Sequence, residues 1–224
     1  MVKIILVSKF GAPKEQTLFC AHLATFLAHT KKTALVDFQP QTHLLEMFIA
    51  KRHYFNLENK QDLPVPTYFT YKKTLLDEIS ASFDYIVLDG SNADLFPAAD
   101  ILITLIAEPS AVQTLTQSDS VFVQTLWQSK KTRAKAGKNA FKHILIPTDS
   151  LQNEDILKLS QSASMMGYKV APCFVKNASY EKAFNQGLTI LDKDTPCLLK
   201  TFCSADFFAR RNFQHILEFI WADK

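Results

Sequence analysis

The chain has 224 residues, 47% of them apolar and 21% charged, with a formal charge of +3. That is enough apolar material for one large core or two small ones, and the mild charge neither implies nor excludes a nucleic-acid partner. No apolar run reaches the ~18 residues of a membrane span. The opening Met1-Val2-Lys3-Ile4 enters a strand-like segment directly, so no secretory signal and no membrane attachment are expected. Cys20, Cys173, Cys197 and Cys203 show neither zinc-site nor CxxC spacing. They read as reduced, mostly buried thiols of a cytoplasmic protein.

Short continuous apolar runs predict strands at Lys3–Ser8, Thr33–Asp37, Tyr85–Asp89, Ile101–Ile106, His143–Pro147 and Lys169–Val175, with a weaker one at Val65–Thr70. Runs of this kind suit strands covered on both faces of a parallel sheet. Helices are expected between them at Glu15–His29, Lys72–Ser82, Ala111–Ser129, Asn153–Met166 and Tyr180–Gln186. A last helix, near Ser204–Ala222, would place Phe207, Phe208, Phe213, Ile216, Leu217 and Ile220 on one apolar side. Ala50–Thr70, with Pro64 and Pro66, reads as an irregular surface excursion. The alternation predicts a single α/β domain over residues 1–224, doubly wound around a mainly parallel sheet. Ligands of such folds sit beyond the carboxyl ends of the strands, so the loops after Ser8, Asp37, Asp89 and Ile106 should share one rim.

The first of those loops, Lys9-Phe10-Gly11-Ala12-Pro13-Lys14-Glu15-Gln16, lies between a strand and a helix N-terminus, where free N–H groups and the helix dipole favour anions. Together with the next helix, containing Phe19-Cys20-Ala21-His22-Leu23-Ala24, it resembles the opening of the ParA/MinD family of deviant Walker A ATPases. The family's loop reads KGGxGK followed by two hydroxyl residues. By that resemblance Lys9 is the extra lysine that reaches the nucleotide of a dimer partner. Gly11 is the second glycine, and Lys14 is the phosphate-binding lysine. The departures are Phe10 and Pro13 for two glycines, and Glu15 and Gln16 for the two hydroxyls. Proline has no N–H and fixes φ near –65°, which removes a cradle donor. Glu15 could ligate Mg²⁺, yet it would also repel phosphate at close range.

Asp37-Phe38-Gln39-Pro40-Gln41 resembles the family's D-x-D-P-Q segment, with Gln39 in place of the aspartate that positions the attacking water. A glutamine orients water in some phosphate hydrolases. Phe83-Asp84-Tyr85-Ile86-Val87-Leu88-Asp89 resembles the Walker B strand, which makes Asp89 the implied Mg²⁺ residue. Further on, Ala99–Ile103, Ala107–Ser110 and the stretch holding Tyr180, Ala183 and Gly187 keep the family's order.

Lys130, Lys131, Arg133, Lys135 and Lys138 fall within nine residues without an acid and are candidate contacts for DNA bound without sequence preference. Two readings of the site stay open. In one, the loop has lost its chemistry. No nucleotide cofactor is then expected, and the protein serves as a binding or scaffolding partner in DNA partition, DNA transfer or cell positioning. In the other, it is an ATPase with unusual ligands, using ATP and Mg²⁺ through Lys9, Lys14, Glu15, Asp89 and Gln39. An α/β domain binding an unrelated small acidic ligand is a third alternative. The resemblance also implies a homodimer and a partner protein.

Overall fold

A computed structural model describes residues 2–11, 13–38, 42–72, 74–192 and 203–222. In chain order its elements are β1 (Lys3–Phe10), α1 (Pro13–Ala28), β2 (Thr33–Asp37), α2 (Leu44–Asn59), β3 (Thr67–Thr70), α3 (Leu75–Ile79), β4 (Tyr85–Asp89), β5 (Ile101–Ile106), α4 (Pro109–Thr116), α5 (Val121–Lys135), β6 (Lys142–Pro147), α6 (Asn153–Met166), β7 (Lys169–Val170), α7 (Ala178–Phe184) and α8 (Ser204–Trp221). The strands form one sheet of seven, in the order β3-β2-β4-β1-β5-β6-β7, and every pairing is parallel.

Strand periodicity sorts the core into two layers. Ile5, Val7, Leu35, Val87, Ile103 and Ile146 point to one face, where α1, α2, α7 and α8 supply Phe19, Leu23, Phe48, Tyr180, Phe213 and Ile216. Leu6, Val36, Ile86, Leu88 and Leu102 point to the other, against Leu75 and Ile79 of α3 and Leu126 of α5. On that same side α4 and α6 cover the far strands with Val112, Leu115 and Leu159. The expected doubly wound architecture is therefore present, with helices on both faces.

Several boundaries differ from expectation. The segment read as an irregular excursion, Ala50–Thr70, opens as the second part of helix α2 and closes as strand β3. Leu45, Phe48, Ile49 and Arg52 are the buried residues of α2, at helical spacing. The fourth is an arginine, and the helix stops on Lys60 in the left-handed region rather than on glycine, so two usual helix signals are missing. The expected helix Ala111–Ser129 is two helices. Ser120 starts the second by accepting a hydrogen bond from the Val123 N–H. Among the described residues of the expected Lys72–Ser82, only Leu75–Ile79 is helical. β7 covers two residues, and a bridge from Thr148 to Phe174 is all that continues it. On α8, Phe213, Ile216, Leu217 and Ile220 are buried but Phe207 and Phe208 are exposed, because the buried stripe enters the helix through Asp206 and Ala209 at three- and four-residue spacing and leaves positions 207 and 208 on the outer side. Cys20 is buried, whereas Cys203 is exposed and Cys173 intermediate. Cys197 lies outside the described residues.

Candidate functional site

The rim begins with β1, and β1 is longer than the sequence suggests. Lys9 and Phe10 continue the ladder beside Leu105 and Ile106 of β5, and the Phe10 carbonyl accepts from the Ala107 N–H at 3.0 Å. The Phe10 ring packs edge-on against Phe122 of α5, centroids 4.8 Å apart. Pro13 already belongs to α1, a position that suits a residue without an N–H. Of the described residues, only Gly11 remains between strand and helix. Gly11 takes φ 82, and a Cβ there would lie 2.7 Å from the Glu108 side chain, which overhangs the loop from the end of β5.

Alternation along the strands sends Lys9, Asp37 and Asp89 to the face that α1 covers. Asp37 and Asp89 sit opposite each other across β2 and β4, both buried. The Thr17 hydroxyl of α1 donates to Asp89 Oδ2 at 2.8 Å. Burial raises the Asp89 carboxyl to about 6. The Thr17 hydrogen bond works against that rise, and the neighbouring Asp37 charge adds to it. Cys20 lies beneath, its thiol pushed well above the ordinary range by burial and then by Asp89. Lys9 is partly buried, and desolvation lowers its pKa while Asp89 opposes the shift. Gln16 is buried, with its amide N–H donating to the Val7 carbonyl at 2.9 Å and its Oε1 without a hydrogen-bond partner.

The other two loop residues turn outward along α1. Lys14 Nζ pairs with Glu181 Oε2 of α7 at 2.8 Å, and Glu15 Oε1 pairs with Lys176 Nζ at 3.3 Å. Lys9 and Asp89 are thus brought together over one strand end, with Gln16 buried beside them, while Lys14 and Glu15 are directed to the segment around α7. Gln39 lies outside the described residues. Thr17, Glu108, Lys176 and Glu181 carry much of the local chemistry without having been marked in the sequence. Thr17 alone had a signal, as the first hydroxyl after Lys14.

Past β4, the Phe38 N–H donates to the Asp89 carbonyl at 3.1 Å, and the Phe38 ring stacks on Tyr71 at 3.8 Å. A Cβ on Gly90 would fall 2.7 Å from Phe38, so glycine lets that ring cover the rim.

A comparison with protein-family models matches residues 3–220 to the ATPase MipZ family. The chain belongs to this family. No curated protein matches the sequence. Among solved structures, apo McdA from Cyanothece is similar at TM-score 0.57 and 17% identity, covering 97% of this chain and 99% of that one. The cell division protein MinD from Aquifex aeolicus gives 0.55 and 16%, with 94% and 96% covered. A plasmid partition protein from Borrelia burgdorferi bound to AMPPNP gives 0.53 and 15%, with 97% and 98% covered. These likenesses are of fold: the parallel sheet with helices on both faces described above is shared with McdA, MinD and the partition protein.

The basic cluster divides. Arg133 is buried, with its guanidinium paired to Asp100 at 2.9 Å and donating to the carbonyls of Pro97, Ala99 and Asn139. It ties α5 to the β5 entry and is turned away from solvent. The Lys130 ammonium lies over Phe141 and donates to the Gly167 carbonyl at 3.1 Å. Lys131, Lys135 and Lys138 are exposed. No described helix is long and apolar enough to cross a membrane.

Proposed function

We infer that this member of the MipZ family is a single-domain cytoplasmic protein of DNA partition, DNA transfer or cell positioning. In this reading it acts through binding or scaffolding, as a homodimer or with a partner protein, and does not hydrolyse ATP. The observation that carries the reading is the β1–α1 junction. A triphosphate cradle needs several free N–H groups and a lysine directed at the anion. Here the ladder runs through Phe10, the helix starts at Pro13, and Lys14 pairs with Glu181. In this arrangement the residues present do not fit a triphosphate. Titration with ATP and Mg²⁺ by calorimetry, together with a phosphate-release assay, tests the reading. The expected result is weak or no binding and no turnover, and tight binding with turnover defeats it.

The second reading, an ATPase with unusual ligands, draws support from Asp89 and Thr17, a buried strand-end carboxylate held by a helix hydroxyl. When bound, Mg²⁺ would supply charge neutralisation at the phosphates, with Asp89 as a candidate ligand; Glu15 would have to leave Lys176 to join it. Under that reading Lys14→Ala abolishes phosphate release. Non-specific DNA binding, where it occurs, would draw on Lys131, Lys135 and Lys138. Replacing all three with Gln would then flatten the slope of log affinity against log salt by about 0.9 for each DNA phosphate left without its lysine.

A further inference from the structure

The pairs that remove Lys14 and Glu15 from the rim form one device. Two ion pairs of opposite sense cross the same seam. A lysine on α1 meets an acid on α7, and the next α1 residue, an acid, meets a lysine just before α7. The segment beyond the seam is anchored independently of them. The Lys176 N–H donates to Asp149 Oδ2 at 3.0 Å, and the Val175 N–H donates to Asn212 Oδ1 at 3.2 Å. Asn177 accepts from the Ser179 N–H at 2.8 Å. Tyr180 is buried, with its hydroxyl donating to the Ala209 carbonyl at 2.7 Å, and its ring meets His22 of α1 edge-on. Beneath the seam lies a cavity of about 30 Å³, lined by Lys14, Thr17, Leu18, Leu44, Glu181 and Phe184 among others.

We propose that the Lys14–Glu181 and Glu15–Lys176 pairs are an ion-pair latch in which Glu181 acts as an internal competitor for the anion that Lys14 would otherwise bind. This rests on reading the β1–α1 loop as a nucleotide-derived site. A polyphosphate reaching the loop must take Lys14 from Glu181, and its charge then approaches Glu15, which Lys176 offsets. Both pairs are partly exposed, with side-chain exposures of 58% and 38% in one and 66% and 17% in the other, so water and salt weaken them and the latch is one that can open. Linkage makes the effect reciprocal. Whatever occupies the loop loosens the seam to α7, and whatever holds α7 closed weakens the loop's hold on anions.

Calorimetry with ATP and Mg²⁺ at low salt, on the full chain and its variants, tests this. Glu181→Gln should bind roughly five-fold more tightly than the parent, the scale of one partly exposed pair, and adding Lys14→Ala should remove the gain. Lys176→Gln should move affinity the other way, because it leaves Glu15 uncompensated. Should Glu181→Gln fail to fold, Glu181→Asp, with its shorter reach, carries the same expectation. Equal affinity, or equal absence of binding, in the parent and the Glu181 variant overturns the latch while leaving the non-hydrolytic reading in place. Turnover by the parent overturns that reading instead, and the affinity ratio still decides the latch.

Discussion

Asp89 occupies a place that disfavours its charge. Its carboxyl is raised to about 6 from an ordinary value of 3.8, with burial the largest cause. The folded protein therefore holds this proton more tightly than the unfolded chain does. Stability from the group is fully present below pH ~4 and is lost as pH rises through 6. At neutral pH the ionised carboxylate costs on the order of 2–3 kcal/mol. Asp89→Asn keeps an acceptor for Thr17 and removes the charge, so it should stabilise the protein by about 2 kcal/mol at pH 8 and by little at pH 4.5. Urea unfolding at the two pH values checks this. The sequence marks Asp89 through the apolar run ahead of it, but its partner Thr17, 72 positions away in the chain, is marked only as the first hydroxyl after Lys14. Lys14 is equally instructive. Its identity could be read, but its direction depends on Glu181, 167 positions away in the chain.

At the scale of elements, α2 shows how a charged residue can belong to a core. Arg52 is wholly buried. It makes two hydrogen bonds to Asp192, at 2.7 and 2.8 Å, and donates to the Pro64 and Gly187 carbonyls. Burial pushes the Asp192 carboxyl up, but the bonds and charge of Arg52, with help from His29 and Thr189, outweigh it and hold it well below the usual range. Gly187 closes the contact. It has φ +73, and a Cβ there would lie 2.3 Å from the Arg52 backbone nitrogen. Arg52→Met takes from the buried Asp192 carboxylate its one guanidinium partner, leaving Thr189 and His29 to hold it, and should cost roughly 3–5 kcal/mol. Adding Asp192→Asn should recover a good part of that. Chemical denaturation of the two variants gives the comparison. This helix could not be read from local sequence because its fourth inward position satisfies a residue far along the chain. The α4–α5 break was hidden for a different reason. A run of polar residues fits a solvated helix face as well as it fits a turn, and only the Ser120 cap separates them.

For the whole molecule, the parallel sheet covered on both faces was legible because strands buried on both sides must be nearly all apolar, whereas the strand order has no signature in those runs. The pH response was not legible, because it depends on which histidines lie inside. His22 and His143 are both buried, and desolvation lowers them from 6.5 to about 4 and about 3. Each has one ring nitrogen without a hydrogen-bond partner. The unfolded chain takes up these protons first, so their contribution is complete above pH ~6.5 and drains away as pH falls toward 4. Asp89 offsets part of this over the same range. A net loss on the order of 3 kcal/mol is expected by pH 4.5. His22→Leu, set between Tyr180 and Phe213, should flatten roughly half of the histidine slope in a melting series from pH 8 to 4.5.

The edge-on contact between Phe10 and Phe122 bears on how this protein could be re-engineered. Putting glycine at position 10 would free the main chain to curl around a ligand, but it would also withdraw a ring from the layer beneath α5, at a cost of about 1–2 kcal/mol. A designer building such a curve would have to refill that hollow from the α5 side in the same step.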